Sequence, residues 1–156
     1  NNVYQELRKK PGSRDLPIFA QLRGSSRHAI IQGMHRTRNG ILLGTNAFWE
    51  GIDLPGELLE ILILSKLPFG VPSEPIIKAY SNLLQSLDKN PFLEFNVPES
   101  VIKFRQGFGR LIRTSRDVGA FFVMDERVVK KRYGTSFSDS IPVRMDPFSS
   151  LNEIRI

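Results

Sequence analysis

The chain has 156 residues, 40% of them apolar and 24% charged, with no cysteine and a formal net charge of +6. That length suits about one domain with a real core, and the lack of cysteine excludes disulfides, thiolate zinc sites and iron–sulfur clusters from this segment. No apolar run approaches the roughly 20 residues of a membrane span, and Glu6, Arg8, Lys9 and Lys10 stand where a secretory signal would be apolar. The chain opens on Asn1-Asn2 without an initiator Met, which reads as a fragment or a processed form.

The predicted elements alternate between helix and strand. Val3, Tyr4 and Leu7 hold helical spacing up to Lys10, and Pro11-Gly12 stops the helix. Residues 17–22 form a short strand candidate. Ser25 or Ser26 caps a helix through about Arg36, with Ala29, Ile30, Ile31 and Met34 as its buried stripe. Ile41-Leu-Leu43 follows the turn signal Asn39-Gly40 and reads as a buried strand. Ile61-Leu-Ile-Leu64 is a second continuous apolar run, as expected of a strand covered on both faces. After a loop marked by Pro68, Pro72 and Pro75, residues Ile76 to Leu87 keep helical period, with Ser73 as candidate N-cap and Pro75 in the first turn. Pro91 and Pro98 mark residues 91–98 as a connector. A helix from Glu99 then carries Val101, Phe104, Phe108, Leu111 and Ile112 toward the core, and Ala120–Met124 is the last strand. From Tyr133 the Ser, Pro and Gly content predicts an irregular tail. This alternation predicts an α/β fold, a parallel sheet with helices on both faces. The first element is a helix, so a leading strand is either absent or lies upstream of Asn1.

Charge is unevenly spread. Residues 1–40 carry eight Lys/Arg against two Asp/Glu, residues 41–100 three against eight, and residues 101–156 eleven against six. Two basic blocks around an acidic middle suit a polyanion partner, although a solvated basic surface gives the same composition. The run Lys130-Lys-Arg132 reads as a solvated helix end. His28 and His35 have no Asp, Glu or Cys at ligand spacing, so no metal site is expected.

Two segments carry chemistry. Gln106-Gly-Phe-Gly-Arg-Leu-Ile-Arg113 places Arg110 and Arg113 three residues apart in a predicted helix, with Gln106 one turn earlier and Gly107 and Gly109 removing bulk between them. Positions i and i+3 share a helix face, and two guanidinium forks match phosphate oxygens bidentately. The spacing alone also fits a solvated face or ion pairs to Asp117 and Glu99. The second segment, residues 44–56, follows the Ile41–Leu43 strand, where ligands collect in open α/β sheets. It supplies Thr45, Asn46, Glu50 and Asp53 among Gly44, Gly51 and Gly56, and its Phe48-Trp49 either stacks on a base or packs beneath the loop. The loop Gln21–Arg27 lies between a strand and a helix N-terminus, a natural phosphate site; Arg23, Ser25, Ser26 and Arg27 are its strand-binding candidates. No Gly-x-x-x-x-Gly-Lys-[Ser/Thr] cradle exists in the chain, and Asp125-Glu126 after the last strand is crowded by Arg127. An ATPase needs a cradle, a metal and a water-orienting group, so only the arginine part of such a site is visible.

Phe48-Trp-Glu-Gly-Ile-Asp-Leu-Pro-Gly56 resembles motif V of the DinG branch of superfamily 2 helicases, relatives of the XPD family, and Gln106–Thr114 resembles their motif VI. Lys66-Leu-Pro-Phe69 and Asn90-Pro-Phe92 fit the same pattern in the same order. The resemblance implies that residues 1–145 are the second RecA-like motor domain, of P-loop NTPase type but without the Walker A loop, and that 146–156 are a tail. It implies that Arg110 and Arg113 reach the ATP γ-phosphate, with Gln106 positioning the nucleotide or coupling it to domain closure. Glu50, Gly51, Asp53 and Gly109 would face the nucleotide, and Thr45 and Asn46 the DNA backbone. ATP and Mg²⁺ would be held mainly by the first RecA-like domain of the same polypeptide, with single-stranded DNA as the other partner and no membrane. A cytoplasmic 5′ to 3′ helicase is the implied whole. A non-catalytic nucleic-acid-binding α/β module is the alternative.

Overall fold

A computed structural model describes residues 2–10, 12, 16–21, 26–37, 39–45 and 59–153. The chain divides into two units, Asn1–Glu60 and Ile61–Ile156.

In the first unit α1 (Asn2–Lys9) ends with Arg8 and Lys9 in its last turn, where cations complement the helix dipole. Strand β1 (Ile18–Ala20), helix α2 (Arg27–Thr37) and strand β2 (Ile41–Leu43) follow as expected. The strands pair in parallel, Ile18 with Ile41, Phe19 with Leu42 and Ala20 with Leu43. A parallel pair needs a crossover, and α2 supplies it. Ser26 starts that helix: its Oγ accepts the Ala29 N–H at 3.4 Å and its carbonyl the Ile30 N–H at 3.1 Å. Ile30 and Met34 are buried on α2, whereas Ala29, expected in the stripe, is exposed. Ile30 packs with Phe19, Ile31, Leu42 and Leu59. The Phe19 ring lies so close to α2 at Gly33 that a β-carbon there would overlap it.

The second unit holds β3 (Ile61–Leu64), α3 (Pro75–Ser86), α4 (Val97–Leu111), β4 (Ala120–Val123), α5 (Arg127–Lys130) and α6 (Thr135–Ser138). β3 and β4 are parallel, in register from Ile61 with Ala120 to Leu64 with Val123. The Phe121 ring meets Phe104 at 5.3 Å and Phe108 at 5.7 Å, so α4 covers that face of the pair. β3 departs from the expectation of two covered faces. Leu64 is buried, but Ile61 and Ile63, which alternate to the other side, are 51% and 61% exposed. On that side the Phe122 ring meets Phe148 at 6.2 Å.

Pro75 does open α3, but the N-cap is Glu74 rather than Ser73. The helix closes through Asp88, whose φ of 56° is left-handed; the Lys89 N–H then reaches back to the Leu84 carbonyl at 2.9 Å. Residues 91–98 are not a connector. Asn90 Oδ1 accepts the N–H groups of Phe92 and Leu93 at 3.0 and 3.2 Å, capping a helix that Pro91 begins. Phe92–Asn96 is a π-helical turn leading straight into α4. Pro98 has no N–H for the Glu94 carbonyl and its ring would clash there, so the preceding turn widens, and the Val97 N–H bonds to Phe92 instead.

The core of this unit is Leu64, Leu67, Val97, Phe104, Phe108, Leu111, Phe137 and Ile141. Phe137 and Ile141 belong to the expected irregular tail, which instead forms a 3₁₀ turn at Arg132–Gly134 and then α6. Gly134 permits this fold-back, since a β-carbon there would overlap the Val128 carbonyl oxygen. Ser100, fully buried on α4, has an Oγ without a hydrogen-bond partner. Removing an unpaired buried hydroxyl and improving helix propensity should together stabilise the fold by about 1 kcal/mol. Ser100→Ala is therefore expected to raise the urea midpoint at unchanged m, and a lower midpoint would show that the hydroxyl has a partner after all.

Candidate phosphate-facing site

The apolar residues Phe104, Gly107, Phe108 and Leu111 turn one face of α4 into the core. Helical spacing then puts Gln106, Gly109 and Arg110 together on the opposite side. Gln106 and Gly109 are exposed and Arg110 half-buried. A β-carbon on Gly109 would meet nothing within 4 Å, so its bareness serves no packing among the described residues. Gly107 is buried on the core face, so of the two glycines expected to remove bulk beside Gln106 and Arg110 only Gly109 does so on the outward side.

The arginine pair also needs correction. α4 ends at Leu111, and Ile112 is extended at φ −117° and ψ 100°. Arg113 therefore lies beyond the helix and does not share a helix face with Arg110. The cause sits downstream: Asp117 Oδ2 accepts the backbone N–H groups of Arg113 at 2.8 Å and Thr114 at 2.7 Å. These two bonds, Thr114's foremost, hold the Asp117 carboxyl below the usual carboxylate range, and the Arg113 charge adds a smaller pull. Asp117 thus engages Arg113 through its backbone, and the exposed Arg113 side chain leaves from a tied loop.

At the carboxyl edge of β1 and β2 the Thr45 hydroxyl donates to Gln21 Oε1 at 2.9 Å. Ser26 and Arg27 are exposed at the start of α2. Arg23, Ser25, Asn46, Glu50, Gly51 and Asp53, with Phe48 and Trp49, lie outside the described residues. The described residues therefore hold Gln106, Gly109, Arg110 and Arg113 in one unit and Thr45, Ser26 and Arg27 in the other.

An open cleft of about 420 Å³ lies at the carboxyl ends of β3 and β4, lined by Ser65, Lys66, Met124, Asp125, Glu126 and Arg127. The expected crowding of Asp125 by Arg127 is borne out. Asp125 Oδ2 accepts the Leu67 N–H at 2.9 Å and Arg127 Nη2 at 2.6 Å, and Oδ1 accepts Arg127 Nε at 2.9 Å. Arg127 also stacks over Phe69 at 5.2 Å, and Lys130, an exposed helix-end charge, holds Glu126 at 2.6 Å. Both acids are thus engaged within the chain, and the described residues contain no cluster of three His, Cys, Asp or Glu.

Sequence reasoning missed that Asp125 pins the Leu67 loop; the signal was an acidic residue directly after a strand with Arg at i+2. Hydrogen bonds from Arg127 chiefly, then from Leu67, hold the Asp125 carboxyl down at about 2 against 3.8 unfolded. A depressed pKa gives stability that is present above the unfolded value and lost as pH falls through the folded one, here about 2 kcal/mol between pH 5 and 2. Urea unfolding at those two pH values should show this loss in the wild type and not in Asp125→Asn. An equal loss in both would remove Asp125 as the cause.

A family model described as a helicase C-terminal domain matches residues 1–144. The chain belongs to that helicase family. The chain is 38% identical over 141 residues to the 3'-5' exonuclease DinG of Bacillus subtilis, covering 90% of this chain and 15% of that protein. It is 38% identical over 145 residues to the ATP-dependent DNA helicase DinG of Photobacterium profundum, covering 91% and 21%. The ATP-dependent DNA helicase YoaA of Escherichia coli is 37% identical over 127 residues, covering 81% and 20%. The DinG-type resemblance of the chain therefore stands. This helicase C-terminal domain spans 15–21% of the length of these relatives. Among its described residues no helix is long and apolar enough to cross a membrane.

Proposed function

We propose that this helicase C-terminal domain is the second, RecA-like motor domain of an ATP-dependent DNA helicase that steps 5′ to 3′ on single-stranded DNA. The observation that carries the reading is the end of α4. Gln106, Gly109 and Arg110 share its outward side, and Arg113 leaves a loop that Asp117 ties down just beyond it. Guanidinium groups fit a triphosphate's outer oxygens, and the bare Gly109 allows close approach. ATP and Mg²⁺ would be held by the first motor domain, because this chain carries no Gly-x-x-x-x-Gly-Lys-[Ser/Thr] sequence.

ATP supplies the phosphoryl group whose transfer drives the cycle. Arg110 and Arg113 neutralise negative charge on it, and act only when the domains close, which excludes water and strengthens each charge contact. Gln106, one turn from Arg110, orients the same region. By resemblance, Glu50, Gly51 and Asp53 are assigned to nucleotide binding, and Thr45, Asn46, Arg23, Ser25, Ser26 and Arg27 to DNA binding. Closure and opening then move the two domains along the strand.

The test is ATP turnover with and without single-stranded DNA, in the polypeptide carrying both motor domains and in residues 1–156 alone. DNA-stimulated turnover is expected only in the former. Turnover by a clean preparation of residues 1–156 would overturn the half-site reading. Tight, strongly salt-dependent DNA binding by those residues, without stimulated ATPase in the longer polypeptide, would mark a non-catalytic binding module.

A further inference from the structure

We propose that Gln21, at the end of β1, donates to a DNA phosphate, and that Thr45 is the positioning residue that aims it. The inference rests on reading this chain as half of a DNA motor, and it reassigns the strand contact at that edge.

Proton bookkeeping carries it. A hydroxyl has one proton, and Thr45 commits it to Gln21 Oε1 at 2.9 Å. A phosphodiester oxygen only accepts, so a Thr45 hydroxyl committed in this way has nothing to give it. The Gln21 carboxamide has two N–H donors, and among the described residues no protein group takes either. Its oxygen is occupied by Thr45, which fixes the plane of the amide and turns the nitrogen away from the Thr45 hydroxyl. The base of the side chain is fixed as well, because the Gln21 N–H bonds to the Leu43 carbonyl at 3.1 Å and extends the β1–β2 ladder by one residue. Both residues are exposed. β1 feeds into α2, so the N-terminus of that 11-residue helix lies at the same edge and contributes partial positive charge. The edge thus offers a neutral, preoriented donor pair, which suits a backbone contact independent of base identity.

The assignment is tested by fluorescence anisotropy with a labelled single-stranded thymidine oligonucleotide and the full-length helicase, over a series of salt concentrations. Gln21→Met is expected to weaken binding about tenfold, as loss of a hydrogen bond to a charged group does, with an unchanged slope of log K against log salt because no cation is lost. Thr45→Val should weaken binding less, Thr45→Ser should restore it, and the double variant Gln21→Met/Thr45→Val should bind no worse than Gln21→Met alone. Gln21→Lys puts a cation at the same point and should steepen the salt slope by roughly 0.7. An unchanged slope in Gln21→Lys would mean that no phosphate sits there, and would overturn the proposal. So would fully additive losses, or a greater loss in Thr45→Val than in Gln21→Met, which would make Thr45 the donor. If the unaltered protein binds no single-stranded DNA, the motor reading itself fails and this inference with it.

Discussion

Arg113→Ala in the intact helicase is expected to lower kcat for ATP hydrolysis about 10³-fold, the scale of a lost arginine finger, with little change in KM. The split follows from where the contact is made. A guanidinium that meets the phosphoryl group only on domain closure stabilises the transition state over the bound ground state, and removing it lowers kcat and kcat/KM together. The substitution keeps both bonds that Asp117 makes at this turn, because they use backbone N–H groups that alanine retains. Arg110 is half-buried on the last turn of α4, so Arg110→Ala should cost some packing as well as activity. Groups acting on one charge are not additive, and the double variant should therefore be little slower than Arg113→Ala alone. Steady-state phosphate release at saturating DNA measures all three. Near-normal turnover in Arg113→Ala would end the arginine-finger assignment.

What could be read from the residues, and what could not, divides by the range of the interactions. Strands at Ile18–Ala20, Ile41–Leu43, Ile61–Leu64 and Ala120–Val123 were legible because each is a short apolar run bounded by turn residues. α2 and α3 were legible from period and from Ser26 and Pro75 at their starts. Pro91 and Pro98 misled because proline terminates one helix and begins another; the deciding partner, the Asn90 carboxamide, has the composition of a turn. The end of α4 was misplaced for a related reason. Helical period continues through Arg113, but Asp117, four residues on, takes the amides of Arg113 and Thr114. In β3 an unbroken apolar run gave no sign that Ile61 and Ile63 would stay exposed while Leu64 is buried. At the carboxyl end of α4, Gln106, Gly109 and Arg110 were legible as one group because a single helix carries them. The Phe48–Gly56 string was legible by resemblance, and its structure lies outside the described residues.

Phe137→Ala is expected to cost about 4 kcal/mol, the middle of the range for emptying a phenylalanine site in a core. The segment around it has the composition of a loose tail, yet Phe137 is fully buried. Its ring meets Phe104 at 5.4 Å and Phe69 at 5.9 Å, both edge-on, the arrangement in which a ring's positive edge faces a negative face. Collapse cannot fill the site cheaply. Gly134, three residues earlier, lies close against the Val128 carbonyl, a contact that an inward shift of α6 would have to disturb. For a domain holding about 5–15 kcal/mol in all, that loss is a large fraction of stability. Urea unfolding should show a lower midpoint at unchanged m, and Phe92→Ala, a control at a ring already 37% exposed, should lose much less. A loss below about 1 kcal/mol in Phe137→Ala would mean that the tail is detachable. The functional consequence runs through Phe104, which touches Phe137 and lies on α4 below Gln106 and Arg110. With Phe137 gone, the helix keeps its residues but loses the support beneath the turns that present them. ATPase in Phe137→Ala should then fall at temperatures where most of the protein is still folded, whereas Arg113→Ala should be about 10³-fold slow at every temperature.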